Sequence, residues 1–359
     1  MDQQIASTAA VLEISVATES QQDEIRAFVA PAFTGPGTPD VLNSPQMQRW
    51  KAVQPHPGWD GRRNYTLRQN HRIAAHACLW PTGFRTSSGD VTCSHILDWA
   101  ADPTVAGSGV AVYRHLMQLT DIVLAIGGSA QARRLLPRIG FKPYATLDYY
   151  ARVIRPIRQY LSRPKASAIR EMARLGRNII WSFPAAHSQG SYWSAIHRPA
   201  AGTWLDDVVS QFKPQSFCAG SRSSTFVNYL LSCPAAACSL YSLSSRGFDR
   251  GYFILNEVRG QTRIIDLFLK SEDPRDWKSA FRVAVATAAS IASTCEISMA
   301  TSLPWFTELL RTCGFRKCND RPVMLYDPRG LLVNAPPLNI QMVDSDAYYL
   351  HDLSYPFLT

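Results

Sequence analysis

Residues 102–111 read DPTVAGSGVA, and residues 129–141 read SAQARRLLPRIGF. The first stretch follows a run that predicts a strand, and residues 112–119 after it have helical spacing. A strand that leads through small residues into a helix leaves backbone N–H groups unpaired at the helix N-terminus. Such groups bind anions, phosphates above all. The two stretches therefore indicate an α/β unit with an anion-binding loop.

The same stretches resemble two motifs of the GNAT superfamily of CoA-dependent N-acyltransferases. The pyrophosphate loop of that superfamily has the pattern Arg/Gln-x-x-Gly-x-Gly/Ala after a proline, and Pro103, Gly109 and Ala111 fit this register. Gly140-Phe141 resembles the Gly-Phe pair that closes the acyl-CoA cleft. The resemblance implies a mixed α/β fold with a strongly bent sheet, and acetyl-CoA or a longer acyl-CoA as the cofactor. A lone Gly-x-Gly is weak evidence, and two motifs in the right order are stronger.

The composition is typical of a soluble chain with two domains of ordinary size. The chain has 359 residues, of which 46% are hydrophobic. No apolar run reaches the length of a membrane span, and the first residues lack the layout of a signal peptide, so we expect a cytoplasmic protein. The eight cysteines form no Cys-x-x-Cys pair. This favours reduced core residues over a disulfide or a metal site.

The second half of the chain repeats the order of predicted elements in the first. A strand–helix–strand–helix run precedes Gly140-Phe141 and again precedes Gly314-Phe315. This repeat indicates two tandem GNAT-like domains, an arrangement similar to tandem GNAT-fold proteins of bacteria. We expect an N-terminal GNAT domain with the acyl-CoA site, a basic helical connector, a degenerate C-terminal GNAT-like domain, and a tail that packs back on the fold; these comprise residues 1–155, 156–197, 198–330 and 331–359.

Backbone groups in and before the loop are the predicted contacts for the cofactor. The loop and helix start supply residues Ala106, Gly107, Ser108, Gly109, Val110 and Ala111. The resemblance also implies that the backbone at Ala100 and Ala101 bonds the donor thioester where two central strands separate. Ala106 stands where the superfamily has Arg or Gln, so one side-chain contact is lost. A tight strand–helix turn without a ligand is the alternative interpretation.

The resemblance implies a general base, Glu or His, on the strand before the loop. Counting eleven residues back from Ala106 gives His95, and an imidazole suits proton abstraction from an amine near neutral pH. Strand alternation predicts that His95, Leu97 and Trp99 share one face and that Asp98 lies on the other. Asp98 is the second candidate base. A hydrogen-bonded core histidine is the alternative interpretation of His95.

The expected general acid is missing. The superfamily often has a tyrosine four residues before the Gly-Phe pair, and this chain has Leu136 there. Pro137 follows and predicts a kink in the helix. Tyr144, Tyr149 and Tyr150 lie on the next segment and substitute only if the fold brings one of them to the cleft.

The second half lacks the small-residue loop. Residues 270–276 read KSEDPRD, and their carboxylates would repel a pyrophosphate. Asp273 or Asp276 is better explained as a helix cap. Asp266 lies at the strand position analogous to the base. We therefore expect acyl-CoA to bind the first half only.

These observations predict an N-acyltransferase that moves an acyl group from acyl-CoA to an amine of a small molecule or sugar. A tandem-fold binding or scaffold protein without turnover is one alternative. A ligase that takes its donor from aminoacyl-tRNA is another, which the basic connector alone favours. Four tryptophans of the first half offer surface for an acyl chain or sugar, or belong to the core: Trp50, Trp59, Trp80 and Trp99.

The formal net charge of +9 is partly local to the connector and the residues just before it. Between residues 152 and 177, Glu171 is the single acid among eight basic residues. A solvated helical face is the simplest explanation, and an acidic partner, cofactor phosphates or an anionic membrane surface are the alternatives. No aromatic-interleaved basic strand accompanies this charge, so nucleic acid is not an expected partner.

Overall fold

The computed structural model describes residues 12–33, 44–162, 168–182, 192–351 and 356–359. Thirteen strands in these residues join one mixed sheet. The first half contributes Leu12–Val16 (β1), Asn64–Gln69 (β2), Arg72–Thr86 (β3), Gly89–Ala101 (β4), Ile122–Ile126 (β5) and Lys142–Val153 (β6). The second half contributes Trp193–Arg198 (β7), Ala219–Gly220 (β8), Ala237–Ser245 (β9), Phe248–Val258 (β10), Gln261–Leu269 (β11), Glu296–Thr301 (β12) and Arg316–Tyr326 (β13).

Ten α-helices lie in the described residues. They are Gln22–Phe33 (α1), Pro45–Gln48 (α2), Ser108–Leu116 (α3), Ala130–Leu135 (α4), Pro156–Leu161 (α5), Ala168–Ser182 (α6), Thr203–Ser210 (α7), Ser224–Leu231 (α8), Pro274–Ser290 (α9) and Pro304–Thr312 (α10). The mixed α/β class predicted from the sequence is confirmed. The predicted turn at residues 34–37 and the connector prolines Pro164 and Pro184 lie outside the described residues.

The two halves of the sheet have matching strand arrangements when each is followed from its outer edge to the centre. It runs β1-β2-β3-β4-β5-β13-β6-β12-β11-β10-β9-β7, and β8 pairs with β3 off this path. In each half one parallel pair, β4–β5 or β11–β12, is flanked by antiparallel pairs. The closing strands are exchanged, because β13 pairs with β5 and β6 pairs with β12. The sequence analysis did not predict this exchange.

Local chemistry explains two of the connections. Asn70 and His71 join β2 to β3 with φ values of 49° and 67°, as a two-residue type I′ hairpin requires. Pro137 ends regular hydrogen bonding after α4, and residues 136–139 continue as a 3₁₀ turn before Gly140 at φ 105°. The kink predicted at Pro137 is confirmed.

One hydrophobic core extends across both halves, from Trp80 and Leu124 to Phe253 and Leu303. The C-terminal tail packs onto this core through residues such as Tyr348. All eight cysteines of the chain are unpaired. The boundaries of the two predicted domains, the connector and the tail stay a prediction.

A buried ionic cluster ties the tail to the second half. Arg222 donates from Nε to Asp266 at 3.1 Å and from Nη2 to Asp344 at 2.7 Å. Tyr252 donates its hydroxyl to Asp266 at 2.7 Å, and the Gln341 amide donates to Asp344 at 2.9 Å. Burial raises the pKa of Asp266 although the Arg222 guanidinium lowers it. Asp266, the position analogous to the base, is therefore engaged in a structural ion pair.

We expect Arg222→Met to lower the free energy of unfolding by about 3–5 kcal/mol, because it leaves two buried carboxylates without a cation. A carboxyl whose folded pKa is raised destabilises the fold above its unfolded pKa, and this penalty disappears as pH falls. The deficit of the variant should therefore shrink in denaturant titrations as pH falls from neutral toward the unfolded Asp pKa of about 4. Arg275→Met, in an exposed pair with Asp273, is the control and should change stability by less than about 1 kcal/mol. An equal effect of the two substitutions would contradict the role of the cluster.

Candidate active site

The parallel strands β4 and β5 separate at the centre of the first half. In the described residues they pair at three positions only, the last being His95 with Leu124. β4 then continues six residues further to Ala101. Its backbone groups on the β5 side lack a strand partner beyond His95, so they are available to a ligand that lies along this edge. The predicted separation of the two central strands is confirmed.

A β-bulge widens the same end of β4. Leu97 pairs with Cys78 and Ala100 pairs with His76, so two residues of β4 oppose Ala77 alone. Asp98, inside the bulge, has a φ of 49°. Because a carbonyl oxygen only accepts, the 3.0 Å contact between His76 Nδ1 and the Asp98 carbonyl is an Nδ1–H donor bond. Burial lowers the pKa of His76 to about 4, so this ring is neutral near pH 7.

The bulge overturns the predicted alternation of side chains beyond Leu97. Trp99 does not share the face of Leu97; its ring centroid lies 4.5 Å from that of Tyr113 on α3. The Asp98 carboxylate forms an ion pair with Lys51, whose neighbour Trp50 packs in the same core cluster as Leu97. The prediction that Asp98 lies opposite His95 is therefore wrong, because the extra residue shifts the pleat by one position.

Lys51 is buried beneath the bulge. Burial lowers the pKa of its ammonium, but Asp98 together with Cys78 and Asp346 raises it, and the net direction is upward. Lys51 therefore stays charged and holds Asp98 in its left-handed conformation. The sequence analysis missed Lys51, since nothing near it in the sequence marks it as the partner of Asp98.

The loop after β4 is ordered by its own hydrogen bonds. Asp102 Oδ1 accepts from the amide and the hydroxyl of Thr104 at 2.8 and 2.6 Å. Gly107 precedes α3 with a φ of 79°, which favours glycine. The amides of Gly109 and Val110 donate to no acceptor in the described part of the chain. Unpaired N–H groups at a helix start suit an anion, and the predicted phosphate contact stays a prediction.

Ser108 and Gly109 have structural roles as well. The Ser108 hydroxyl is buried and donates to the Ala74 carbonyl at 3.1 Å, so it anchors the loop to β3. A Cβ on Gly109 would lie 2.9 Å from Ala101 Cβ and 3.2 Å from Trp99 Nε1. Gly109 is therefore required for close packing of α3 on β4. Ala106 is exposed at the start of the helix, and its side chain adds no polar group.

His95 is buried, and its tautomer is fixed by β5. Nδ1 lies 2.9 Å from the Leu124 carbonyl, so Nδ1 carries the hydrogen. The lone pair of the neutral ring is then on Nε2. This is the nitrogen that a general base requires.

A carboxylate of the tail interacts electrostatically with this histidine. Asp346 interacts electrostatically with His95 and Asp98, and also with Arg321 of β13. Burial raises the pKa of Asp346, while His95, Arg321 and Lys51 lower it, and the net direction is upward. His95, Asp98 and Asp346 thus lie together, although 248 residues separate Asp98 from Asp346 in the sequence.

Two of the three tyrosines that could replace the missing general acid have hydrogen-bond partners within the fold. Leu136 is buried in the core between α3 and the sheet. The Tyr144 hydroxyl accepts from the Leu338 amide at 2.9 Å, and the Tyr150 hydroxyl donates to Thr307 at 3.1 Å. The third, Tyr149, interacts electrostatically with Arg321 and with the tail carboxylate Asp346, and burial raises its pKa.

The equivalent cleft in the second half is filled by the tail. β11 and β12 separate beyond the pair Ile264–Met299. There the Gln341 side chain accepts from the Leu267 amide at 2.9 Å and donates to the Leu267 carbonyl at 3.0 Å. The Ser302 amide, next to β12, donates to the Ile340 carbonyl at 3.1 Å. The Ile340 amide donates to the Ser302 hydroxyl at 2.9 Å. The tail thus bonds the backbone of β11 at positions whose counterparts on β4 have no strand partner.

The predicted helix cap in the second half is present. Asp273 Oδ1 accepts from the Arg275 amide at 2.8 Å at the start of α9.

Two of the four tryptophans, Trp50 and Trp80, are buried core residues in contact with Tyr229. A cavity of about 440 Å³ lies beside Thr82 and Thr92, near the start of β4 and away from the loop.

Solved structures similar to this chain include a GCN5-related N-acetyltransferase, Eis1 and an N-myristoyltransferase. A GCN5-related N-acetyltransferase from Anabaena variabilis is 12% identical with a TM-score of 0.60, over 88% of this chain and 72% of that one. Eis1 from Mycobacterium abscessus is 12% identical with a TM-score of 0.51, over 88% and 73%. N-myristoyltransferase from Saccharomyces cerevisiae, solved with bound myristoyl-CoA, is 12% identical with a TM-score of 0.53, over 89% and 85%. The chain therefore has the GNAT fold.

No protein-family model matches the sequence, and no curated protein sequence matches it. None of the described helices is long and apolar enough to span a membrane. No group of three or more His, Cys, Asp or Glu side chains in the described residues is arranged to hold a metal ion.

We expect Gly109→Ala to lower the free energy of unfolding by about 1–3 kcal/mol, because its Cβ would overlap Ala101. Removing the opposing methyl in Ala101→Gly/Gly109→Ala should recover part of this loss. Denaturant unfolding of the parent, both single variants and the double variant gives the coupling energy. Strictly additive losses would contradict the close packing of α3 on β4.

Proposed function

We propose that the first half is a CoA-dependent N-acyltransferase and that the second half is a non-catalytic support. One observation carries the proposal: the unpaired edge of β4 beyond His95 leads directly to the unpaired amides of Gly109 and Val110. A ligand with an extended arm and a pyrophosphate matches this sequence of backbone donors and acceptors. The GNAT fold supports the same assignment.

The backbone of the first half binds and aligns the cofactor. Gly109 and Val110 donate their N–H groups to its phosphates, with Ala106, Gly107, Ser108 and Ala111 forming the loop around them. The β4 edge at Ala100 and Ala101 aligns the extended arm. Acyl-CoA supplies an activated acyl thioester, and the first half holds it at the end of β4.

His95 is the proposed catalytic base. Its Nε2 takes the proton from the ammonium of the acceptor, so that the free amine can form the C–N bond while the thioester C–S bond breaks. CoA would leave as the thiolate and take its proton from water, since Leu136 supplies no acid. The imidazolium that results gains the nearby Asp346 carboxylate as a counter-charge. Asp98 is held by Lys51 and acts as a positioning residue, because it fixes the bulge at the open edge of β4. The acceptor is an amine of a small molecule or sugar.

An acyl-CoA-binding protein without turnover is the second candidate. Two observations favour it: Leu136 is a core residue where a general acid is expected, and the tail carboxylate Asp346 interacts electrostatically with His95. Both candidates require acyl-CoA binding. Turnover with an amine acceptor separates them.

We expect acyl-CoA to bind once per chain and to raise the free energy of unfolding by about 2.7 kcal/mol at a hundred times its Kd. Ala106→Arg should tighten binding by up to about tenfold, because a guanidinium at this exposed position adds a charge-assisted bond to the phosphates. Ligand-dependent melting and calorimetry measure both effects. Ala237→Arg, which adds the same charge at an exposed site of β9, is the control. Equal affinity in both variants would place the cofactor elsewhere.

We expect His95→Gln to lower kcat at least about a hundredfold with little change in acyl-CoA affinity, because the base is lost and the backbone contacts remain. His197→Gln, an exposed histidine of β7, is the control. Near-parental turnover of His95→Gln would make His95 a core residue. Tight acyl-CoA binding without turnover in the parent would favour the second candidate.

A further inference from the structure

The helical hairpin of α5 and α6 exposes apolar side chains. Five of them are between 62% and 84% exposed; they are Ile157, Leu161, Ile169, Met172 and Ile180. No described residue covers them. Single exposed apolar residues are ordinary on protein surfaces, but a set on two adjacent helices marks an interaction site.

The buried side of the same hairpin is polar. Glu171 and Asn178 of α6 are 5% and 2% exposed. Asn178 donates to Gln159 of α5 at 2.8 Å, and Gln159 donates to Glu296 of β12 at 2.9 Å. The hairpin is therefore attached to the sheet through hydrogen bonds. Its amphipathic pattern is the reverse of a helix that packs an apolar face on a core.

The exposed charged residues of the hairpin are basic. Residues 156–182 contain six basic residues and one acid, Glu171, which is buried. Arg158, Arg170 and Arg177 are exposed beside the apolar side chains. Arg177 stacks on Trp181 with its guanidinium carbon 4.3 Å from the ring centroid. Apolar, basic and tryptophan side chains on one surface helix are the pattern of an interfacial membrane helix.

We propose that this hairpin binds the surface of an anionic lipid bilayer. The apolar side chains would enter the acyl boundary, and the arginines would contact the lipid phosphates. A second copy of the chain fits less well, because a symmetric interface would bring the two sets of arginines together. The surface is separate from the β4–β5 cleft, so the inference does not depend on the proposed function.

The test is co-sedimentation of the full chain with vesicles. We expect binding to vesicles of equal parts phosphatidylcholine and phosphatidylglycerol, weaker binding at high salt, and none to phosphatidylcholine alone. Ile169→Ser/Ile180→Ser should weaken binding to the anionic vesicles at least tenfold, because it removes two of the inserted side chains. Arg170→Gln should weaken binding less and reduce the dependence on salt.

Phe248→Ser, which replaces an apolar residue of β10 that is 66% exposed, is the matched control and should bind as the parent does. Melting temperatures report folding of each variant. Failure of the parent to bind anionic vesicles, or unchanged binding by both hairpin variants, would overturn the proposal. Concentration-dependent dimers that Ile169→Ser/Ile180→Ser abolishes, without vesicle binding by the parent, would also overturn it and make the hairpin an interface between copies.

Discussion

Neither half of this chain completes its own sheet. β13 lies between β5 and β6, and β6 lies between β13 and β12, so each closing strand hydrogen-bonds to strands of the other half. Removal of either strand would leave unpaired backbone groups on both of its neighbours. The exchange also merges the side chains under the two halves into one core. The candidate cleft therefore depends on the second half even though every proposed cofactor contact lies in the first.

The tail makes the two related clefts different. The Gln341 side chain forms hydrogen bonds with the backbone of Leu267 in β11, and the Asp344 carboxylate forms an ion pair with Arg222. Because Gln341 bonds both backbone groups of Leu267, a ligand cannot pair with β11 at this position. β4 keeps its free edge beyond His95, since the tail approaches this cleft through the Asp346 side chain. One segment thus closes the second cleft and supplies a carboxylate to the first.

Local patterns predicted the elements, and contacts between distant residues determined the rest. The hairpin at Asn70-His71, the loop before α3 and the kink at Pro137 each have a short-range signal in the sequence. The exchange of β6 and β13 has none, because both strands would fit either half by pattern. The bulge at Asp98 has none either: it is held by Lys51 and His76, which are distant in sequence. For this reason His95 was located correctly on β4 while the faces beyond Leu97 were assigned wrongly.

The charges around His95 come from separate segments of the chain. The Asp98 carboxylate is matched by Lys51, whereas Asp346 has no ion pair of its own within hydrogen-bond reach among the described residues. Burial raises the Asp346 pKa, so its charged form gains most from a nearby cation. In the proposed reaction, an imidazolium formed at His95 would be such a cation. The Asp346 carboxylate acts on His95 only because the tail is fixed to the second half.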